Sequence, residues 1–183
     1  MFYRHINNNA AATNYSTAAE LMDSILPWEL NVNFAASIAA PITILHTPCS
    51  FSGRATVLSE NEGDLITHGN YAYINRLSVC AAVLFYLDDN NLYAYHAPAG
   101  YIDQNFFRTC RQTLDNNNVE KIIYATPQLN TAPGSSYSQA LTFLEGRFTT
   151  NKICIVDGFG RIRGGNALEG TVLADADGNL AFS

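Results

Sequence analysis

Leu77-Ser78-Val79-Cys80-Ala81-Ala82-Val83-Leu84-Phe85-Tyr86 leads through Leu87-Asp88-Asp89-Asn90-Asn91 into Leu92-Tyr93-Ala94-Tyr95-His96-Ala97-Pro98-Ala99-Gly100. An apolar run, an acidic-amide turn and a second β-favouring run predict a β-hairpin, with a cysteine before it and a histidine at its far end. A thiolate is the reactive form of cysteine, and a nearby imidazole can serve as its base. The competing reading is an inert core thiol, because free cysteine is among the most buried residue types and Cys80 has apolar neighbours. If Asp88 to Asn91 forms the loop, His96 opposes Val83. Cys80 then lies about three residues, or ~10 Å, further along. On that register, contact requires a bend or bulge that folds Cys80 back.

The rest of the chain is read outward from this hairpin. Met1 to about Ser16 is polar and Asn-rich, a loose arm. Ser16 to Glu20 has the capping-box form and opens a short helix through Ile25-Leu26, which Pro27 helps to end. Arg54 to Leu58 and Asp64 to Thr67 read as strands. Beyond the hairpin, Asp103 caps a helix carrying Phe106, Phe107, Cys110 and Leu114. Val119 to Thr126 is a strand stopped by Pro127. Ser136 or Ser138 opens a second helix through Leu141, Leu144 and Phe148, and Lys152 to Asp157 is a further strand. Gly170 to Phe182 reads as two strands about Asp177-Gly178. The pattern is α+β, a β-sandwich-like mixed sheet core flanked by helices. Residues 1–50 are set apart as an extension with one helix, and 51–183 form the main domain.

A chain of 183 residues suits one domain with a sizeable core. With 48% apolar and 14% charged residues it is globular. A net charge of −6 and a pI near 5.0 speak against nucleic acid as a partner, and no stretch approaches the length of a membrane span. The N-terminus lacks the basic-then-apolar pattern of a secretory signal. That predicts synthesis in a cytoplasm and leaves export without a cleavable signal, into a host or target cell, open.

Cys49, Cys80, Cys110 and Cys154 are scattered, with no C-x-x-C pair and no metal-ligand spacing. Neither a metal nor a cofactor is expected. One thiol is expected to be reactive and three structural. His5, His46 and His68 have no nearby cluster of ligating side chains. Gly158-x-Gly160 and Gly164-Gly165 lack the context of a phosphate loop.

From Val57 onward the order of segments resembles the chemoreceptor glutamine deamidases (CheD). It is also similar to the catalytic domains of the cytotoxic necrotizing factor toxins. The resemblance rests on Leu77-Ser78-Val79-Cys80, on His96 sixteen residues later (96 − 80 = 16), and on the aromatic approach Tyr93-Ala94-Tyr95. A helix-strand-helix-strand order downstream and the Gly-x-Gly-Arg turn from Gly158 to Arg161 extend it. The glycine usual before the cysteine is Val79 here, and the threonine usual six residues before it is Ile74.

The resemblance implies a protein-glutamine deamidase, a secreted effector or toxin acting on a protein substrate that presents a glutamine. Cys80 would be the nucleophile and His96 the base and acid, with backbone N–H groups of Val79 and Cys80 at the oxyanion. Asn75, or a main-chain carbonyl, would orient the imidazole; Asn75 also reads as an ordinary surface amide. Other readings are a peptidase or small-molecule amidase on the same dyad, and a non-catalytic protein-binding module. Oligomeric state has no signal. A catalytic Cys80 would have its pKa lowered below the ~8.5 of a free thiol by the imidazole.

Overall fold

The computed structural model describes residues 2–6, 13–15, 43–44, 51, 53–110, 113–115, 118–129, 132, 134–149, 152–157, 159, 161–163 and 167–182. The strands are β1 (Phe2–Ile6), β2 (Thr13–Tyr15), β3 (Thr43–Ile44), β4 (Ala55–Val57), β5 (Gly63–Ile66), β6 (Tyr71–Leu77), β7 (Ala81–Leu87), β8 (Leu92–Ala97), β9 (Val119–Thr126), β10 (Ile153–Asp157), β11 (Arg161–Arg163), β12 (Ala167–Asp175) and β13 (Asn179–Phe182). Two helices, α1 (Gln104–Thr109) and α2 (Ser136–Arg147), lie in the second half. The expected helix at Ser16 to Leu26 and Cys49 lie outside the described residues.

One sheet runs β2-β1-β10-β9-β7-β8-β5, and the other runs β3-β13-β12-β6-β4 with β11 paired to β12. Both mix parallel and antiparallel pairs, so the fold is α+β, as the pattern of elements predicts. β1, β2 and β3 come from the first 50 residues. β1 pairs with β10 and β3 with β13, which ties those segments into the two sheets.

β7 explains why the hairpin decides the fold. All seven of its residues are buried, because β8 and β9 flank it and both faces of its sheet are covered. Its even-numbered side chains, Ala82, Leu84 and Tyr86, meet Ala72, Ile74, Val172 and Ala174 of the second sheet. The odd-numbered ones, Ala81, Val83, Phe85 and Leu87, meet Phe107, Tyr137, Leu141, Leu144 and Phe148 on and beside the helices. The result is three layers: sheet, sheet, helices.

Local signals account for most boundaries. Asp103 caps α1 as expected, its carboxylate accepting from Asn105 N at 2.8 Å. The cap of α2 is Ser135, one residue ahead of the expected start. α1 ends at Thr109, yet Leu114 beyond it is still buried against the helix-side core. β6 is not anticipated by alternation because a bulge interrupts it. Arg76 has φ +57°, and Ile74 and Leu77, three apart, both turn inward.

Pro98–Gly100 forms a tight 3-10 turn after β8. Ala99 (φ +47°) and Gly100 (φ +74°) both lie in the left-handed region. A Cβ at Gly100 would come 2.5 Å from the Tyr137 ring and 2.8 Å from the Tyr124 hydroxyl. Backbone strain and overpacking therefore act together in Gly100→Ala, with an expected cost of roughly 2–4 kcal/mol. A urea-unfolding midpoint lowered at unchanged slope is the measurement that checks it.

Candidate active site

The geometry at Cys80 and His96 follows from how the hairpin closes. Leu87 N donates to Asn91 O at 2.9 Å, Asn90 N donates to Leu87 O at 3.2 Å, and Asn90 takes φ +58°. The loop therefore has three residues, Asp88 to Asn90, instead of the expected four. Asp89 reinforces it by accepting from Asn91 N at 3.1 Å. Shortening the loop by one residue moves the register by one, and His96 opposes Ala82, not Val83. Because side chains alternate between faces, that shift carries His96 to the other face of the sheet.

The shift brings the pair together. Cys80 precedes Ala82 by two residues and shares its face; both belong to the core between the sheets. His96 and Cys80 are thus diagonal neighbours on one face, a relation with Cα atoms about 7–8 Å apart. No fold-back of the chain is required. Both are nearly fully buried, at 6% and 5% exposure.

The loop between β4 and β5 holds His96. Its backbone N donates to Glu62 O at 2.8 Å, and Asn61 N donates to its carbonyl at 2.9 Å. Tyr95, stacked on Phe106, donates its hydroxyl to Asn61 Oδ1 at 2.6 Å and keeps the loop in place. On the ring, Nδ1 lies 3.1 Å from the Leu58 carbonyl. A carbonyl only accepts, so in the neutral ring Nδ1 carries the proton and Nε2 the lone pair. Nε2 is buried and has no hydrogen-bond partner among the described residues, Cys80 included. A buried acceptor left without a partner is uncommon and calls for an explanation.

Leu58 O takes the orienting position for which the sequence suggests Asn75 or a main-chain carbonyl. Asn75 follows the inward-facing Ile74 on β6, and alternation turns it to the outer face of its sheet.

The backbone around Cys80 is fastened from the other side. Tyr137 donates its hydroxyl to Val79 O at 2.5 Å, and Thr126 donates to Cys80 O at 3.2 Å. In a trans peptide the N–H lies opposite the preceding carbonyl. Tyr137 therefore directs the Cys80 N–H away from itself. Among the described residues the backbone N–H groups of Val79 and Cys80 donate to no acceptor. In the facing turn, Ser136 donates to Ala99 O, and Tyr124 donates to Gly100 O at 2.6 Å.

Electrostatics correct one expectation. Burial pushes the Cys80 thiol up from its ordinary value; the Ala99 backbone N–H, which hydrogen-bonds to it, pulls the other way, and the Glu60 carboxylate pushes it up again. The imidazole is not among the groups that lower it. The other described thiols behave as structural groups. Cys154 is buried, with its pKa pushed up to about 12 by desolvation, and Cys110 is half-buried with its sulfur 3.2 Å from the Tyr93 hydroxyl.

Sequence reading did not find Leu58, Glu60, Thr126, Tyr137 or Ala99. Only Ala99 left a trace, in the Pro-x-Gly turn directly after the hairpin. Among the described residues no helix is long and apolar enough to cross a membrane. Compared with known proteins, the chain matches no family model and no curated protein.

These thiols should react in a defined order. At neutral pH in the folded protein, iodoacetamide should modify half-buried Cys110 before Cys80, and Cys154 last. A raised pKa leaves less thiolate at pH 7 than a free thiol has. The Cys80 rate should therefore keep rising with pH beyond ~8.5. Site-resolved mass spectrometry of alkylated peptides against pH checks this.

Proposed function

We propose that the chain is a protein-glutamine deamidase with Cys80 as nucleophile and His96 as base and acid. The observation that supports the reading is the hairpin register. It sets the thiol and the imidazole on one buried face, with Nδ1 committed to Leu58 O and the Nε2 lone pair unused.

In this reading the thiol is neutral at rest. Sγ attacks the side-chain carbonyl carbon of a substrate glutamine as its proton passes to Nε2. The backbone N–H groups of Val79 and Cys80 stand nearest for the oxyanion that forms. The imidazolium returns the proton to the amide nitrogen, the carbon–nitrogen bond breaks, and ammonia leaves a thioester on Cys80. Water, losing a proton to Nε2, then attacks the thioester. The carbon–sulfur bond breaks, the sulfur recovers a proton, and the substrate keeps a glutamate. An amine in place of water would give a cross-linked amide by the same steps. Leu58 O holds the ring so that Nε2 serves in both half-reactions.

The resemblance to the chemoreceptor deamidases and the necrotizing-factor toxins supports the same assignment and adds the class of substrate, a folded regulatory protein. Action as a secreted effector belongs to this proposal.

A search for glutamine-to-glutamate conversion in proteomes exposed to the purified chain tests it. Cys80→Ser should abolish conversion, and His96→Ala should lower it by about 10²–10⁴-fold. Asn75→Ala should stay near the parental rate, because Leu58 O holds the ring. An unchanged rate in Cys80→Ser, with the fold intact, would move the nucleophile elsewhere.

A further inference from the structure

A groove of about 420 Å³ lies between β4 and β5, lined by both strands and by Thr67 and Asn70. The two strands are the last members of different sheets, and among the described residues neither has a neighbour on its outer side. The connection from Leu58 to Glu62 joins β4 to β5. That connection is the segment whose Leu58 carbonyl holds His96 and whose Glu60 acts on the Cys80 thiol.

The hydrogen bonds settle which backbone groups face outward. Tyr71 N donates to Arg54 O and Leu58 N donates to Tyr73 O, both at 3.1 Å. Alternate residues of a strand aim their backbone groups to opposite sides. Arg54, Thr56 and Leu58 therefore serve β6, and Ala55 and Val57 turn N–H and C=O to the open side. On β5, Glu62 O and the Asp64–Ala94 pair serve β8, leaving Leu65 on the open side. There the edge is blunted, because the Leu65 N–H donates to Asp64 Oδ1 at 2.8 Å. Among the described residues the β4 edge has no such cover.

We propose that this edge binds the substrate: an extended segment of a protein, flanking its reactive glutamine, pairs with Ala55 and Val57 as an added strand. The proposal rests on the deamidase reading for what the segment carries, though not for its binding. Charge selects the segment further. Arg54 is exposed at the end far from Cys80, while Glu60 and Glu62 are exposed at the near end. A carboxylate about four residues (~13 Å) from the glutamine would meet Arg54, and acidic side chains beside the glutamine would be repelled.

The test is binding by the full chain carrying Cys80→Ser, which needs no turnover. The probe is a library of short blocked peptides, each with one glutamine, with acidic residues and proline varied in position. Retained peptides should lack proline next to the glutamine and carry a carboxylate near the stated spacing. Val57→Pro removes one groove-facing N–H and spares the bonds to β6, a substitution that edge strands accept. It should weaken retention about tenfold.

Should Val57→Pro fail to fold, amide shifts on adding a retained peptide to the Cys80→Ser protein decide the matter. Ala55, Val57 and Leu65 should move. No retention, retention indifferent to proline in the peptide, or shifts confined to other strands would overturn the proposal. So would slow amide exchange at Ala55 and Val57 in the protein alone, which would mean that the chain covers its own edge. Peptide binding at this edge without deamidation by the parent would uphold the groove and remove the deamidase reading.

Discussion

The register of the β7–β8 hairpin is the constraint on which the rest of the molecule depends. It is set in three residues, where Asn90 accepts the left-handed conformation and Asp89 ties back to Asn91. Asparagine visits that region at lower cost than most residues, because its short amide suits turns. Once the loop has three residues, every partner along β7 and β8 follows. Phe85 and Val83 go to the helices and Leu84 and Ala82 to the second sheet. One further residue in the loop would invert one strand relative to the other. His96 would then face the helical layer, with Cys80 still facing the second sheet. Fold and site share this single determinant.

The hairpin itself was legible because its signals are local: a continuous apolar run, an Asp/Asn cluster, a second β-favouring run. The same holds for the Asp103 cap, for β9 up to Pro127 and for the strands about Asp177-Gly178. The loop length was not legible, since Asp88 to Asn91 offers four turn-forming residues and only backbone geometry selects three. β6 escaped because its bulge at Arg76 breaks the period-two pattern. The site shows the same division. Cys80 and His96 are close in sequence and could be paired by spacing. Leu58 reaches His96 across 38 residues and Tyr137 reaches Val79 across 58, through main-chain carbonyls that no residue type announces. Asn75 drew attention as a side chain near Cys80 in sequence, yet strand alternation sends it outward.

The site is built mostly from backbone held by side chains. Tyr137, Thr126, Tyr124 and Ser136 each donate a hydroxyl to a carbonyl at Val79, Cys80, Gly100 or Ala99. Each such bond contributes little net stability by itself, about 1 kcal/mol. Their common effect is geometric. They fix peptide planes on both sides of one sulfur, and they do so from the helix side of the sheet, while His96 is held from the β4–β5 loop. Thiol and imidazole are thereby secured by independent parts of the structure, so a change in one support need not move the other.

Burial favours the protonated form of the Cys80 thiol. A thiolate at Cys80 would sit in the core between the sheets, and its desolvation there opposes ionisation. The raised thiol pKa expresses that opposition, and Glu60 adds to it. The bond that Nδ1 makes to Leu58 O leaves the lone pair of Nε2 without a partner among the described residues. In the proposed reaction, charge develops as a substrate carbonyl carbon accepts the sulfur electrons, and the N–H groups beside Cys80 would meet it as it forms. On that reading the pair depends on a substrate seated closely enough to share the proton transfer. That dependence gives physical weight to the β4 edge. It ends at the carbonyl that holds the histidine, so a segment paired along it would approach the thiol from a fixed direction.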